Sequence, residues 1–98
     1  MYWQIFRFEA KPGRREELLQ GSKVHAEESV REEPGTLAFY FLQDEQDENR
    51  FYAIEQYADR EAHHAHSEGQ VMQRNGPIVG PLLAGPPVLL ASGDQILL

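Results

Sequence analysis

Glu33-Pro34-Gly35-Thr36-Leu37-Ala38-Phe39-Tyr40-Phe41-Leu42-Gln43, followed after a polar stretch by Arg50-Phe51-Tyr52-Ala53-Ile54-Glu55-Gln56-Tyr57, decides how this chain folds. A proline disfavours helical geometry in the residue before it, and Gly35 suits a left-handed turn, so Glu33-Pro34-Gly35 closes whatever helix precedes it. The two runs beyond it, Thr36 to Gln43 and Arg50 to Tyr57, are rich in aromatic and branched residues. The polar Asp44-Glu45-Gln46-Asp47-Glu48-Asn49 between them makes a hairpin with a long loop. Side chains alternate along a strand, which puts Leu37, Phe39 and Phe41 on one face and Ala38, Tyr40 and Leu42 on the other. Neither face is polar.

Upstream, Tyr2 to Glu9 reads as a strand that stops at the turn Ala10-Lys11-Pro12-Gly13. From Gly13 to Glu33 the residues Leu18, Leu19, Ser22, Ala26, Ser29 and Val30 share one helical face, with most of the carboxylates outside it. Downstream, Asp59 is an N-cap for a helix over Arg60 to Ser67. A broken helix over Gln70 to Leu83 is expected to be interrupted at Gly76-Pro77 and Gly80-Pro81. Val88 to Ser92 is the fourth strand, with Ile96-Leu97-Leu98 as its continuation. The order β-α-β-β-α-β specifies one α+β domain over residues 1–98, a ferredoxin-like split βαβ with a four-stranded antiparallel sheet. Its helices cover one side of that sheet only. An identical sheet is the simplest cover for the other side, which predicts a homodimer packed sheet on sheet.

Composition narrows the functions. Nine Lys plus Arg against sixteen Asp plus Glu give a formal charge of -7, the wrong sign for a phosphate backbone, so no nucleic acid partner is expected. The absence of cysteine removes disulfides, thiolate nucleophiles and Cys-ligated metal centres. The first residues lack the basic-then-apolar order of a secretory signal, which makes the cytoplasm the default location. The apolar stretch from Pro77 to Ala91 is cut by four prolines and is shorter than the roughly 20 residues of a spanning helix, so no membrane span is expected.

Among polar residues His66 leads. It lies one turn after Ala62, on the face of its helix that packs inward, whereas His63 points away from Ala62. A histidine there serves as acid, base or hydrogen-bond donor, or else anchors the preceding strand structurally. Glu55 shares a strand face with Phe51, Ala53 and Tyr57. It reads as a base raised by burial, or as a structural carboxylate paired with an arginine, for which Arg7 is a candidate. No metal is expected, because a zinc site wants three protein ligands and the neighbours His63 and His64 diverge by about 100° on a helix. Ser22, Ser29 and His25 on the inward stripe of the first helix leave room for a cavity against the sheet. Trp3, Phe39, Tyr40, Phe41 and Tyr52 are candidate wall residues for it. No Gly-rich nucleotide fingerprint follows the first strand, so neither flavin nor nicotinamide is required.

Several landmarks together resemble the antibiotic biosynthesis monooxygenase family of dimeric α+β barrels. They are Lys11-Pro12-Gly13 opening the first helix, Glu33-Pro34-Gly35-Thr36-Leu37 leading into the second strand, Glu55 followed by Tyr57, and Asp59-Arg60-Glu61-Ala62 with His66 on the next helix. The resemblance covers residues 1 to about 70. It implies a ferredoxin-like fold, a homodimer closing a barrel, and a pocket between the helices and the concave face of the sheet. Family activities include cofactor-independent quinol or anthrone oxidation, haem degradation and isomerisation. The first strand here lacks the asparagine of the haem-degrading branch, and His66 falls where that branch has a tryptophan. The expectation is therefore a cofactor-independent oxidation of an electron-rich aromatic, with His66 and Glu55 as catalytic residues and Trp3, His25, Tyr40 and Tyr52 binding substrate. A non-catalytic ligand-binding module and a small-molecule isomerase are the alternatives.

Overall fold

A computed structural model describes residues 1–98. Strand β1 (Tyr2–Glu9) is followed by helix α1 (Arg15–Glu32), the hairpin β2 (Thr36–Gln43) and β3 (Arg50–Tyr57), helices α2 (Arg60–Glu68) and α3 (Gln70–Val79), a single 3-10 turn at Gly80–Leu82, and β4 (Val88–Asp94). The sheet order is β2-β3-β1-β4 with every pairing antiparallel. This is the α+β, ferredoxin-like arrangement that the element order implies. The molecule measures 37 × 29 × 18 Å, the thickness of one sheet and one layer of helices. No helix is long and apolar enough to cross a membrane.

Local chemistry sets the boundaries. Gly13 adopts φ +77°, a conformation that a side chain would strain, and so turns β1 into α1. Glu16 and Glu17 occupy the first turn of α1, where carboxylates complement the helix dipole. Of the inward stripe, Leu18, Ala26 and Ser29 are buried as expected, while Val30 lies exposed at the edge. Helix α3 runs through Gly76-Pro77 without the expected break. Pro77 sits in the last turn, where its missing N–H forfeits a single bond, and the Gly80 N–H closes the helix beyond it on the Gly76 carbonyl. Strand β4 extends two residues past Ser92, held by the pairing of Asp94 with Tyr2. The apolar Ile96-Leu97-Leu98 does not continue it and stands in solvent.

The packed core is small and lies at one end of the helix-sheet interface, where Ala10, Leu18, Phe51 and Leu82 meet with Leu19, Val79 and Leu83 around them. Towards the other end the helix-facing side of the sheet carries Tyr2 and Gln4 from β1 and Glu55 and Tyr57 from β3, all buried, and between Glu55 and the core, from Phe6 and Phe8 to Val79 and Leu83, the interface is not filled. Polar groups buried together in this position, beside an unfilled volume, mark the candidate site.

Candidate functional site

A cavity of about 290 Å³ lies between the three helices and the sheet. Phe6, Phe8, Phe39 and Phe41 line it from the strands, and Ser22, His25, His63, His66, Met72 and Asn75 from the helices, with Ala53 and Glu55 on β3.

Helix α2 delivers the histidines. Its N-cap is Asp59, whose carboxylate accepts the Ala62 N–H at 2.8 Å and so satisfies one of the free donors of the first turn. The helix lies directly on the turn before β2, because Gly35 has no side chain: a Cβ there would collide with that of Ala62. One turn further on, His66 is 3% exposed, and its Nδ1 lies 2.7 Å from Glu33 Oε1. A carboxylate only accepts, so Nδ1 carries the proton and donates it to Glu33. The same oxygen accepts the Thr36 hydroxyl at 2.8 Å. Glu33 is the C-cap of α1 and has left helical geometry (φ -109°, ψ 111°). The sequence signal that ends the helix therefore also places the carboxylate behind the histidine. Nε2 of His66 makes no hydrogen bond within the chain, and the ring lines the cavity.

His25 stands beside it, with ring centroids 5.2 Å apart, and meets Phe39 edge-on at 6.0 Å. Its Nδ1 is buried without a partner. Burial, reinforced by the neighbouring His66, holds His25 down to about 4, so the ring is neutral at pH 7. Glu55 accepts the Tyr57 hydroxyl at 2.6 Å. Burial pushes the carboxyl up to about 7 although that hydrogen bond pulls the other way. Tyr57 is in turn raised by burial and by the Glu55 charge. No arginine pairs with Glu55. Arg7, the partner considered from sequence, lies in register with Tyr52 and projects from the opposite face of the sheet.

The structure thus brings His66, Glu55 and His25 to one cavity, together with Phe39 and Phe41. Trp3, Tyr40 and Tyr52 do not line it; by the alternation of their strands they project from the other face. There the Trp3 indole N–H donates to Gln95 Oε1 at 2.8 Å, the Tyr52 hydroxyl donates to Asp44 Oδ1 at 2.5 Å, and Tyr40 is 55% exposed. His63, expected to point away, also lines the cavity. Its ring meets Tyr57 edge-on at 5.1 Å, and burial, then His66, lowers its pKa. Sequence reasoning missed Glu33 and Asn75 as well. The buried Asn75 reaches the cavity from α3 and donates to Glu28 at 3.0 Å. No group of three His, Asp or Glu side chains is arranged to hold a metal ion.

Chemically, this is an apolar chamber with a proton acceptor and a proton donor inside it. Nε2 of His66 can take a proton from a bound hydroxyl, because the bond to Glu33 keeps the ring proton on Nδ1 and leaves Nε2 with its lone pair. Glu55, held near the middle of its titration at neutral pH, can give or take a second one.

Residues 1–74 match the antibiotic biosynthesis monooxygenase family model. Among solved structures, a protein of Nitrosomonas europaea carrying that family's name superposes with a TM-score of 0.86 at 27% identity, over 99% of this chain and 100% of its own. PA3566 from Pseudomonas aeruginosa gives 0.81 at 26% identity, over 98% of this chain and 94% of its own. A similarly named protein of Caulobacter crescentus, at 22% identity, shares the fold with a TM-score of 0.88 over 97% of this chain and 89% of its own. No curated protein matches the chain. With three quarters of the sequence inside the family model, and the cavity lying where helices and sheet meet, the chain belongs to the antibiotic biosynthesis monooxygenase family.

Proposed function

We propose that this chain oxidises a small quinol-type aromatic with dioxygen, without a cofactor, in the cavity beside His66. Family membership supports a monooxygenase-type function. The observation that carries the finer reading is the pairing of an aromatic-walled chamber with a histidine whose one nitrogen is anchored on Glu33 and whose other nitrogen is unbonded.

His66 Nε2 removes the proton of a phenolic hydroxyl, and the electron-rich anion then reacts with oxygen. One oxygen atom enters the ring and the other leaves as water. A hydroquinone thereby becomes a hydroxyquinone and supplies all four electrons itself, so no external reductant enters the balance. Glu33 orients the imidazole and holds its Nδ1 proton. Glu55 returns a proton to the departing oxygen, and the phenyl walls exclude bulk water. Oxygen uptake over a hydroquinone panel tests this: one dioxygen consumed per hydroxyquinone formed is expected, and no uptake above buffer across the panel overturns it.

One observation favours a second reading. The bond from His66 to Glu33 also ties α2 to the corner between α1 and β2, a sufficient structural use for the histidine. A ligand that raises the Tm yet is recovered unchanged would favour a binding module, and turnover without oxygen uptake would favour an isomerase.

A further inference from the structure

We infer that the cavity selects hydroxyaromatics that bear no fixed negative group and rejects their carboxylated, sulfonated or phosphorylated counterparts. The inference rests on the proposed substrate class and narrows it.

None of the nine Lys and Arg side chains lines the cavity. Arg74, which adjoins Asn75, is turned to Glu28 and Glu32, each at 2.7 Å, and Lys23, which adjoins Ser22, is exposed. Arg15 lies over the Phe51 ring and is spent on Gln43 and the Glu48 carbonyl. Arg7 projects from the other face of the sheet. The site's own ionisable oxygens are acidic. Glu55 has only a tyrosine hydroxyl for company, and Glu33 Oε2 is buried with no partner at all.

A neutral phenol entering such a chamber brings no charge. When His66 takes its proton, the phenolate and the imidazolium form as a pair, so the net charge of the site does not change. A benzoate brings one further negative charge, with no Lys or Arg to meet it and the Glu55 carboxyl on the same wall; only a proton drawn onto His66 could offset it, which would take up the nitrogen that serves as base. Burying an unpaired charge is strongly unfavourable, so the cost falls on binding itself, before any chemistry. Neutral His25 cannot supply the missing charge, though it can accept or donate a hydrogen bond to a second hydroxyl.

Two redox-inert ligands of nearly the same shape test this on the full chain: 4-hydroxyacetophenone, which is largely neutral at pH 7, and 4-hydroxybenzoate, which is not. By titration calorimetry the neutral ligand is expected to bind at least tenfold tighter. Met72→Lys, which sets an ammonium on the wall, is expected to narrow that ratio while still binding the neutral ligand. Equal or tighter binding of the acid overturns the inference, as does a ratio that Met72→Lys leaves unchanged, since shape would then explain it. Failure of both ligands to bind overturns it together with the proposed substrate class. Selective binding of the neutral ligand with no oxygen uptake on any hydroquinone upholds the selectivity and removes only the oxidation.

Discussion

Glu55 and His25 face one cavity and carry opposite pH signatures. Glu55 rises from its ordinary 4.5 to about 7 on folding, so the folded state holds this proton more tightly than the unfolded chain does. Its contribution to stability is complete below about 4.5 and is lost as pH rises through 7, on the order of 3 kcal/mol across the window. His25 falls from 6.5 to about 4, so its contribution is present above 6.5 and is lost as pH falls through 4. Between pH 4.5 and 6.5 the two slopes oppose each other. Urea unfolding at several pH values should therefore separate them: relative to the parent chain, Glu55→Gln should lose stability on acidification, and His25→Gln should gain it. Two variants with the same slope would contradict the burial of one or the other. At His66 the expected effects are on rate. His66→Gln should lower kcat by roughly a hundredfold or more if the ring is the base. Glu33→Ala should lower it less, and should shift the imidazole from its Nδ1–H form towards a tautomer mixture, visible in the ring nitrogen shifts by NMR. An unchanged tautomer in Glu33→Ala would remove Glu33 from the mechanism.

Helix α2 is short, and two features outside its histidines hold it in place. Asp59→Ala removes the N-cap and should cost about 1 kcal/mol. Gly35→Ala puts a methyl into Ala62 and should cost about 1–3 kcal/mol, while displacing the helix that carries His63 and His66. A Gly35→Ala chain of parental stability would mean that α2 does not need this close approach. The pair shows what was legible in the sequence. Turn chemistry and N-caps act over a few residues, so Glu33-Pro34-Gly35, Asp59 and the hairpin were readable, and with them the order of the elements. The pairing of Glu33 with His66 spans 33 positions, and Glu33 already had a sufficient reading as a helix terminus, so nothing local pointed to it. The orientation of the sheet was hidden for a different reason. Strands with apolar side chains on both faces do not reveal which face meets the helices, and Trp3, Tyr40 and Tyr52 read as well inside as outside. The burial of Gln4, Ala53 and Glu55, which the register places on one face with Phe6, resolves it.

The whole molecule exposes more than a self-sufficient chain should. A folded monomer of 11.2 kDa is expected to show about 5,700 Å² of accessible surface by the usual scaling with mass. This chain shows 6285 Å², and only 15 of its 98 residues are buried. The excess includes the sheet face that no helix covers, where Tyr40 and Leu42 are about half exposed, and the tail Ile96-Leu97-Leu98, which lies open to water. Large contiguous apolar surface is unusual on a monomer, whereas burial in an obligate dimer commonly removes about 2,000 Å² or more. We therefore propose that two copies pack sheet on sheet, closing the barrel expected of the family, with the tail reaching across to the partner. A two-fold axis would set each substituted side chain against the partner's matching surface, so each change acts twice per assembly. Sedimentation at micromolar concentration should give about twice the chain mass. Leu42→Asp should weaken the dimer strongly and removal of residues 96–98 should weaken it moderately, so in both cases the Tm should fall and the dimer should dissociate at a higher protein concentration than the parent's. The cavity lies on the opposite, helix-covered face, so a Leu42→Asp chain that still folds should keep its preference for the neutral ligand. A stable monomer with an unchanged Tm at every concentration would show that the open face needs no cover.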